Sequence, residues 1–214
     1  MNKYFETFMQ YIEKEEKDKA VLFATNLLKS GDVSIEDLYL NILTPSLLYF
    51  SCQFDDEEIC IWKEHARTSI IRTILEISYL YVIDRVKGVQ RINKKVVVLT
   101  PALELHEIGA IMNTHFFMLE GFDASYIGAN TPKLEILSAI RAYQPDFIAL
   151  SVTNPYNLVV TKQITDEVKK QFPHVGVILG GQAFKDQKAL LDIKYDYVLQ
   201  SLKDLKAFRE QVVA

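Results

Sequence analysis

Three short stretches hold the residues whose types and spacing could do chemistry. Glu104, His106 and Gly109 stand as Glu-x-His-x-x-Gly, Ser151 and Thr153 as Ser-x-Thr, and Gly180-Gly181 completes the set. A neutral imidazole is a good metal donor. A carboxylate two residues ahead of it can orient the ring and raise its basicity. A serine hydroxyl both donates and accepts a hydrogen bond, and glycines let the backbone approach a ligand closely. Other chemistries lack their signatures. No G-x-G-x-x-G or glycine-lysine phosphate loop follows the first apolar run, so dinucleotide and ATP cradling find no support. A phosphoacceptor aspartate would be wanted where Ser151 stands, and no nucleophile-elbow sequence occurs.

These residues need elements to position them, and the second half of the chain supplies a regular alternation. Val96–Leu99, Phe147–Val152 and Val175–Leu179 are nearly continuous apolar runs, Ala124–Ile127 is a weaker one, and Tyr195–Leu199 makes a fifth. Helical stretches fall between and after them at Glu107–Leu119, Lys133–Tyr143, Val160–Gln171 and Leu202–Val212. Strands apolar throughout, alternating with helices, predict a parallel sheet covered on both faces. Five such units suit a flavodoxin-like, Rossmann-like doubly wound fold, whose ligands bind beyond the carboxyl ends of the strands where strand order reverses. His106, Ser151, Thr153 and Gly180-Gly181 all fall just past predicted strands. The loop after the second strand adds Gly128 and Asn130-Thr131-Pro132.

The first half reads as helix only. A first helix is expected over about Asn2–Glu13, and Val21, Leu22, Ala24, Leu27 and Leu28 mark a second. Ser34, with Glu36 and Asp37 behind it, opens a third, in which Pro45 predicts a kink. Trp62, Ala66, Ile70, Thr73, Ile77 and Leu80 lie along one face of a long fourth, with Trp62 expected to pack in the core. Four amphipathic helices on short loops predict a four-helix bundle over residues 1–88, ahead of the α/β domain at 89–214. Arg85–Lys95 is the expected solvated linker. Tyr39, Tyr49, Tyr79 and Tyr81 suit either the bundle core or a subunit interface. His115 and His174 are expected to be structural or exposed.

Composition narrows the function classes. The 214 residues carry 24 Lys and Arg against 28 Asp and Glu, a net charge of -4, which is not the footprint of a nucleic-acid binder. No apolar run is long enough to span a bilayer, and Met1–Glu16 is not a basic start followed by an apolar block. A cytoplasmic protein free of disulfides is expected, with Cys52 and Cys60 as buried fillers.

Taken in order, Glu104-x-His106-x-x-Gly109, Ser151-x-Thr153 and Gly180-Gly181 resemble the D-x-H-x-x-G…S-x-L…G-G pattern of cobalamin-binding proteins. The helices before them resemble the cap bundle of those proteins, so the resemblance covers essentially the whole chain. It implies cobalamin held between cap and α/β domain, with His106 as the axial cobalt ligand in place of the cofactor's own dimethylbenzimidazole. The displaced nucleotide tail would occupy a slot at Gly109, Ser151, Thr153 and Gly180-Gly181, with Glu104, Glu107 and Ile108 also counted among the cofactor-binding residues. Glu104 stands where the pattern has aspartate and Thr153 where it has leucine.

The glutamate form is similar to light-sensing cobalamin regulators of the CarH type, which carry a tryptophan, nine residues and then Glu-His against the adenosyl group. Phe54 takes the tryptophan position here, followed at that interval by Glu64-His65. Asp55 replaces the second histidine ligand of those sensors, and whether His65 substitutes is left open. The resemblance therefore implies a photoreceptor-like sensor favouring adenosylcobalamin over methylcobalamin. It would signal loss of the adenosyl group to a protein partner or by self-association, with no direct nucleic-acid or membrane contact. The alternative is a corrinoid protein that carries methyl groups for a methyltransferase system; a mutase small subunit or a cofactor-free interaction module fits less well. No residue set forms a self-contained active site, so a non-enzyme is expected.

Overall fold

The computed structural model describes residues 3–49 and 57–213. Its contacts divide the chain into two compact units, Met1–Lys87 and Gly88–Ala214. The first unit is helical, with α1 at Lys3–Glu13, α2 at Lys17–Ser30 and α3 at Ile35–Leu38. A π-helical turn at Tyr39–Leu43 follows, then α4 at Thr44–Leu48 and α5 at Glu57–Val86. α1 buries Phe5, Phe8 and Ile12, one helical face, and α2 buries Ala20, Ala24 and Leu27. α2 stops at Gly31, whose left-handed backbone (φ +77°) returns its N–H to Leu28 O. Ser34 caps α3 by accepting from the Asp37 N–H at 3.0 Å.

The expected proline kink takes another form. Pro45 has no N–H and its ring crowds the carbonyl four residues back, and the helix answers by widening into the π turn just ahead of it. Tyr39 sits in that turn fully buried, and burial raises its phenol pKa. Tyr49 and Tyr79 are exposed. Arg67 reaches from α5 to donate to Ser46 O at 2.9 Å. Two expectations need correcting here. Trp62 is not core, because α5 turns it outward at 59% exposure and buries Ile70, Ile71, Ile74 and Leu75 instead. Cys60 is half-buried and disulfide-bonded, not a free filler thiol. Cys52, like Phe54 and Asp55, lies outside the described residues.

In the second unit the strands are β1 (Lys95–Pro101), β2 (Asp123–Thr131), β3 (Phe147–Ser151), β4 (Gly176–Gly180) and β5 (Tyr197–Val198). The helices are α6 (Ile108–Leu119), α7 (Lys133–Tyr143), α8 (Leu158–Gln171) and α9 (Leu202–Val213). All pairings are parallel and the order is β2-β1-β3-β4-β5, the expected doubly wound sheet. β3 is buried at every position and β1 at all but the first, as continuous apolar runs require. On one side Val97, Leu99, Ile148 and Leu150 pack with Ile136 and Ile140 of α7 and Ile164 and Val168 of α8. An aromatic group joins Phe117 of α6 and Phe208 of α9 to Phe122, Phe147 and Tyr197, with Phe122 stacked on Phe208 at 5.5 Å. The linker residues are not simply solvated. Ile92 N–H donates to Gly121 O at 3.1 Å and Arg91 to Phe122 O at 3.2 Å, fastening this segment to the end of α6.

Candidate functional site

Because β1 lies between β2 and β3, the chain leaves β1 toward one side of the sheet and β3 toward the other. That reversal opens a crevice at the strand ends. The loop from β1 to α6 enters it carrying Glu104 and His106, and the segment after β3 enters it carrying Thr153, Asn154 and Asn157.

Glu104 holds the two together. Its carboxylate is fully buried, yet both oxygens are satisfied. Oε1 accepts from His106 Nδ1 at 2.5 Å and from the His106 N–H at 3.1 Å. Oε2 accepts from the N–H groups of Thr153 (2.9 Å) and Asn154 (2.8 Å) and from Asn157 Nδ2 (3.1 Å). Burial pushes the Glu104 carboxyl pKa up, but the hydrogen bonds from His106, Asn154 and Asn157 outweigh it and hold it at about 2. A carboxylate ionised at neutral pH has no proton to give, so His106 Nδ1 is the donor of the pair. That tautomer puts the ring's lone pair on Nε2, the nitrogen a metal would take. The His106 side chain is 55% exposed while its partner is buried, so the ring stands on an anchored base.

Around this pair, Ser151 ends β3 buried. A Cβ built on Gly109 would lie 3.7 Å from Ser151 Oγ, an ordinary contact. The protein's own packing therefore does not demand a glycine at Gly109. Gly181 differs, because at φ +104° its Cβ would fall 2.3 Å from Val152 O, so the chain's own backbone requires glycine there. At Gly180 a Cβ would come within 3.0 Å of Leu199 O. Ile108 is buried at the start of α6, and Glu107 accepts from the Tyr126 hydroxyl at 2.8 Å. Thr153 enters the site through its backbone N–H.

The crevice thus brings together Glu104, His106, Gly109, Ser151, Thr153 and the Gly180-Gly181 turn. Glu64 and His65 lie exposed on α5 of the helical unit, and Phe54 falls outside the described residues. Residues missed from sequence are Asn154 and Asn157, which hold Glu104, and Thr100, whose Oγ donates to Glu104 O at 2.6 Å. Asn154-Pro155 signals a turn in sequence, but nothing local says that Asn157 reaches a carboxylate 53 residues away.

Among the described residues no group of three or more His, Cys, Asp or Glu is placed to hold a bare metal ion. A metal bound at His106 would have this ring as its protein donor and complete its coordination from a ligand it arrives with. A corrin does this, and the oriented imidazole, standing on a buried carboxylate, fits one.

Comparisons with known proteins agree. Across its whole length the fold matches a monomethylamine corrinoid protein of Methanosarcina barkeri at TM-score 0.79 and 14% identity, covering 98% of each chain. A cobalamin-binding protein of Desulfitobacterium hafniense DCB-2 matches at 0.52 and 15%, covering 98% of this chain and 90% of that one. A chain of the methanol:cobalamin methyltransferase complex MtaBC of Methanosarcina barkeri matches at 0.53 and 15%, covering 99% and 80%. No curated protein sequence matches this one. Among described residues no helix is long and apolar enough to cross a membrane. The B12 binding domain family matches residues 94–203, just over half of the chain and the stretch that holds every residue of the crevice, and the chain belongs to that family.

Proposed function

We propose that this protein holds cobalamin with His106 Nε2 as the lower cobalt ligand, and that it acts as a regulatory sensor of the cofactor's upper ligand. The observation that carries the first part is the Glu104–His106 pair, in which a buried, ionised carboxylate fixes an exposed imidazole as a metal donor. Bound cobalamin supplies a cobalt whose upper alkyl group can be lost or transferred. The chain's own residues do the rest. Glu104 orients the ring, Gly109 and Ser151 border the displaced nucleotide, and Ser151 offers it a hydroxyl.

The sensor role is supported by Glu104 in place of aspartate and by Glu64-His65, exposed on α5 and thus able to meet a ligand. In this reading adenosylcobalamin is the bound form, light or another cause of adenosyl loss is the signal, and a protein partner or a second copy receives it. The protein turns over no substrate of its own. A second reading, a methyl carrier for a methyltransferase system, is favoured by the whole-chain likeness to the monomethylamine corrinoid protein.

The experiment is reconstitution with adenosylcobalamin in the dark, absorption spectroscopy, and sizing before and after illumination. His106→Ala should convert a histidine-ligated spectrum to one without a nitrogen base; an unchanged spectrum would exclude His106 as ligand. A change in size or shape on illumination supports the sensor. No change, together with methyl transfer from methylcobalamin to an added methyltransferase, would replace it with the carrier.

A further inference from the structure

The turn ahead of Glu104 contains a residue in an unfavourable conformation, and two asparagines from elsewhere hold it there. Glu104 N–H donates to Pro101 O at 3.0 Å, closing a four-residue turn with Leu103 in its third position at φ +70°. That is left-handed backbone, where a turn ordinarily takes glycine or asparagine and a leucine is strained. Both backbone polar groups of Leu103 are engaged from outside the loop. Its N–H donates to Asn130 Oδ1 at 2.7 Å, and its C=O accepts from Asn157 Nδ2 at 3.3 Å. Asn130 stands near the end of β2, itself left-handed at φ +55°, which asparagine tolerates. Its own N–H donates to Glu104 O and Thr100 Oγ1, both at 3.0 Å. A strained residue persists where its surroundings over-determine it, and such residues gather at functional sites.

We propose that Asn130 is a positioning residue for the cobalt-binding histidine. By holding Leu103 in the left-handed turn, it keeps Glu104 pointing inward and His106 standing outward. The inference rests on the reading of His106 as the ligand. Asn130 is the informative member of the clamp. Asn157 also donates directly to the Glu104 carboxylate, so replacing it disturbs two things at once. The Asn130 side chain meets this loop at the Leu103 N–H.

Three substitutions separate its roles. Asn130→Ala removes the acceptor and the left-handed tolerance, Asn130→Gly removes only the acceptor, and Asn130→Asp keeps both. Two measurements are made on the full chain: amide exchange at Leu103 without cofactor, and the histidine-ligated fraction and release rate of added hydroxocobalamin. Asn130→Ala and Asn130→Gly should speed Leu103 exchange about ten-fold, the loss of one hydrogen bond. They should also lower the histidine-ligated fraction and quicken release, while Asn130→Asp stays like wild type. Leu103→Gly relieves the strain, so Asn130→Ala should do less in that background.

The proposal is overturned if Asn130→Gly leaves Leu103 exchange and cobalamin ligation unchanged, or if Leu103→Gly does not soften Asn130→Ala. Should His106→Ala leave the cobalt spectrum of the otherwise wild-type chain unaltered, the ligand reading fails by itself. The Leu103 exchange arm would still decide whether Asn130 holds the turn.

Discussion

Glu104→Gln alters almost nothing in shape and a great deal in hydrogen bonding. The carboxylate accepts five hydrogen bonds, two from His106 and three from the segment after β3. A glutamine has one accepting oxygen, and its NH2 must replace the other acceptor. If the NH2 faces Thr153, Asn154 and Asn157, three donors confront a donor. If it faces His106 the conflict eases, because the imidazole can move its proton from Nδ1 to Nε2. The second arrangement should therefore win, and it leaves Nε2 protonated and unable to bind a metal.

The magnitude follows from the same geometry. A carboxyl held at about 2 against an ordinary 4.5 reflects about 3 kcal/mol of preference for the ionised form. Losing that preference in a buried site should destabilise the α/β unit by about 2–4 kcal/mol. With a urea slope of about 2 kcal/mol per molar, the unfolding midpoint should fall by about 1–2 M. The assay is urea unfolding followed by circular dichroism, paired with nitrogen-15 shifts of the His106 ring in the cofactor-free protein. An unchanged midpoint together with a ring still protonated at Nδ1 would refute the account of Glu104 as clamp and tautomer setter.

Gly181→Ala should be severely destabilising, because a Cβ there meets Val152 O at 2.3 Å in a left-handed backbone, so soluble yield or melting temperature should drop sharply. Burial lowers the His115 pKa to about 4 from an ordinary 6.5, so the unfolded chain binds the extra proton between those values. Stability conferred by the neutral ring is therefore present above 6.5 and lost as pH falls toward 4, by about 2 kcal/mol between pH 7 and 5. Urea midpoints at those two pH values should show this loss, and His115→Asn should flatten it.

Much of the architecture is visible in local pattern. The runs Val96–Leu99 and Phe147–Val152, alternating with helical stretches, indicated strands buried on both faces, and the structure places both inside the sheet, with β3 at its centre. The long fourth helix was equally plain, but not its orientation. α5 is apolar on more than one side, so periodicity alone assigned Trp62 to the core, whereas packing buries Ile70, Ile71 and Ile74 instead. Pro45 announced a disturbed helix, and only the structure shows that the backbone widens into a π turn at Tyr39–Leu43. The Glu-x-His-x-x-Gly spacing pointed to an oriented imidazole because both residues belong to one loop.

Asn130 was visible only as a residue at the end of the second strand and Asn157 not at all, because they lie on other segments and only sheet order brings them to the Glu104 turn. Sequence alone determined which segments become strands and helices and which residues end up at the carboxyl rim, because apolar periodicity and turn chemistry act over a few neighbours. Tertiary structure decided which groups satisfy the buried carboxylate and hold Leu103 in its left-handed turn. Apart from His106, two residues from Glu104, those partners sit 27 to 54 residues away, and only the order β2-β1-β3 brings their donors and acceptors within hydrogen-bonding distance.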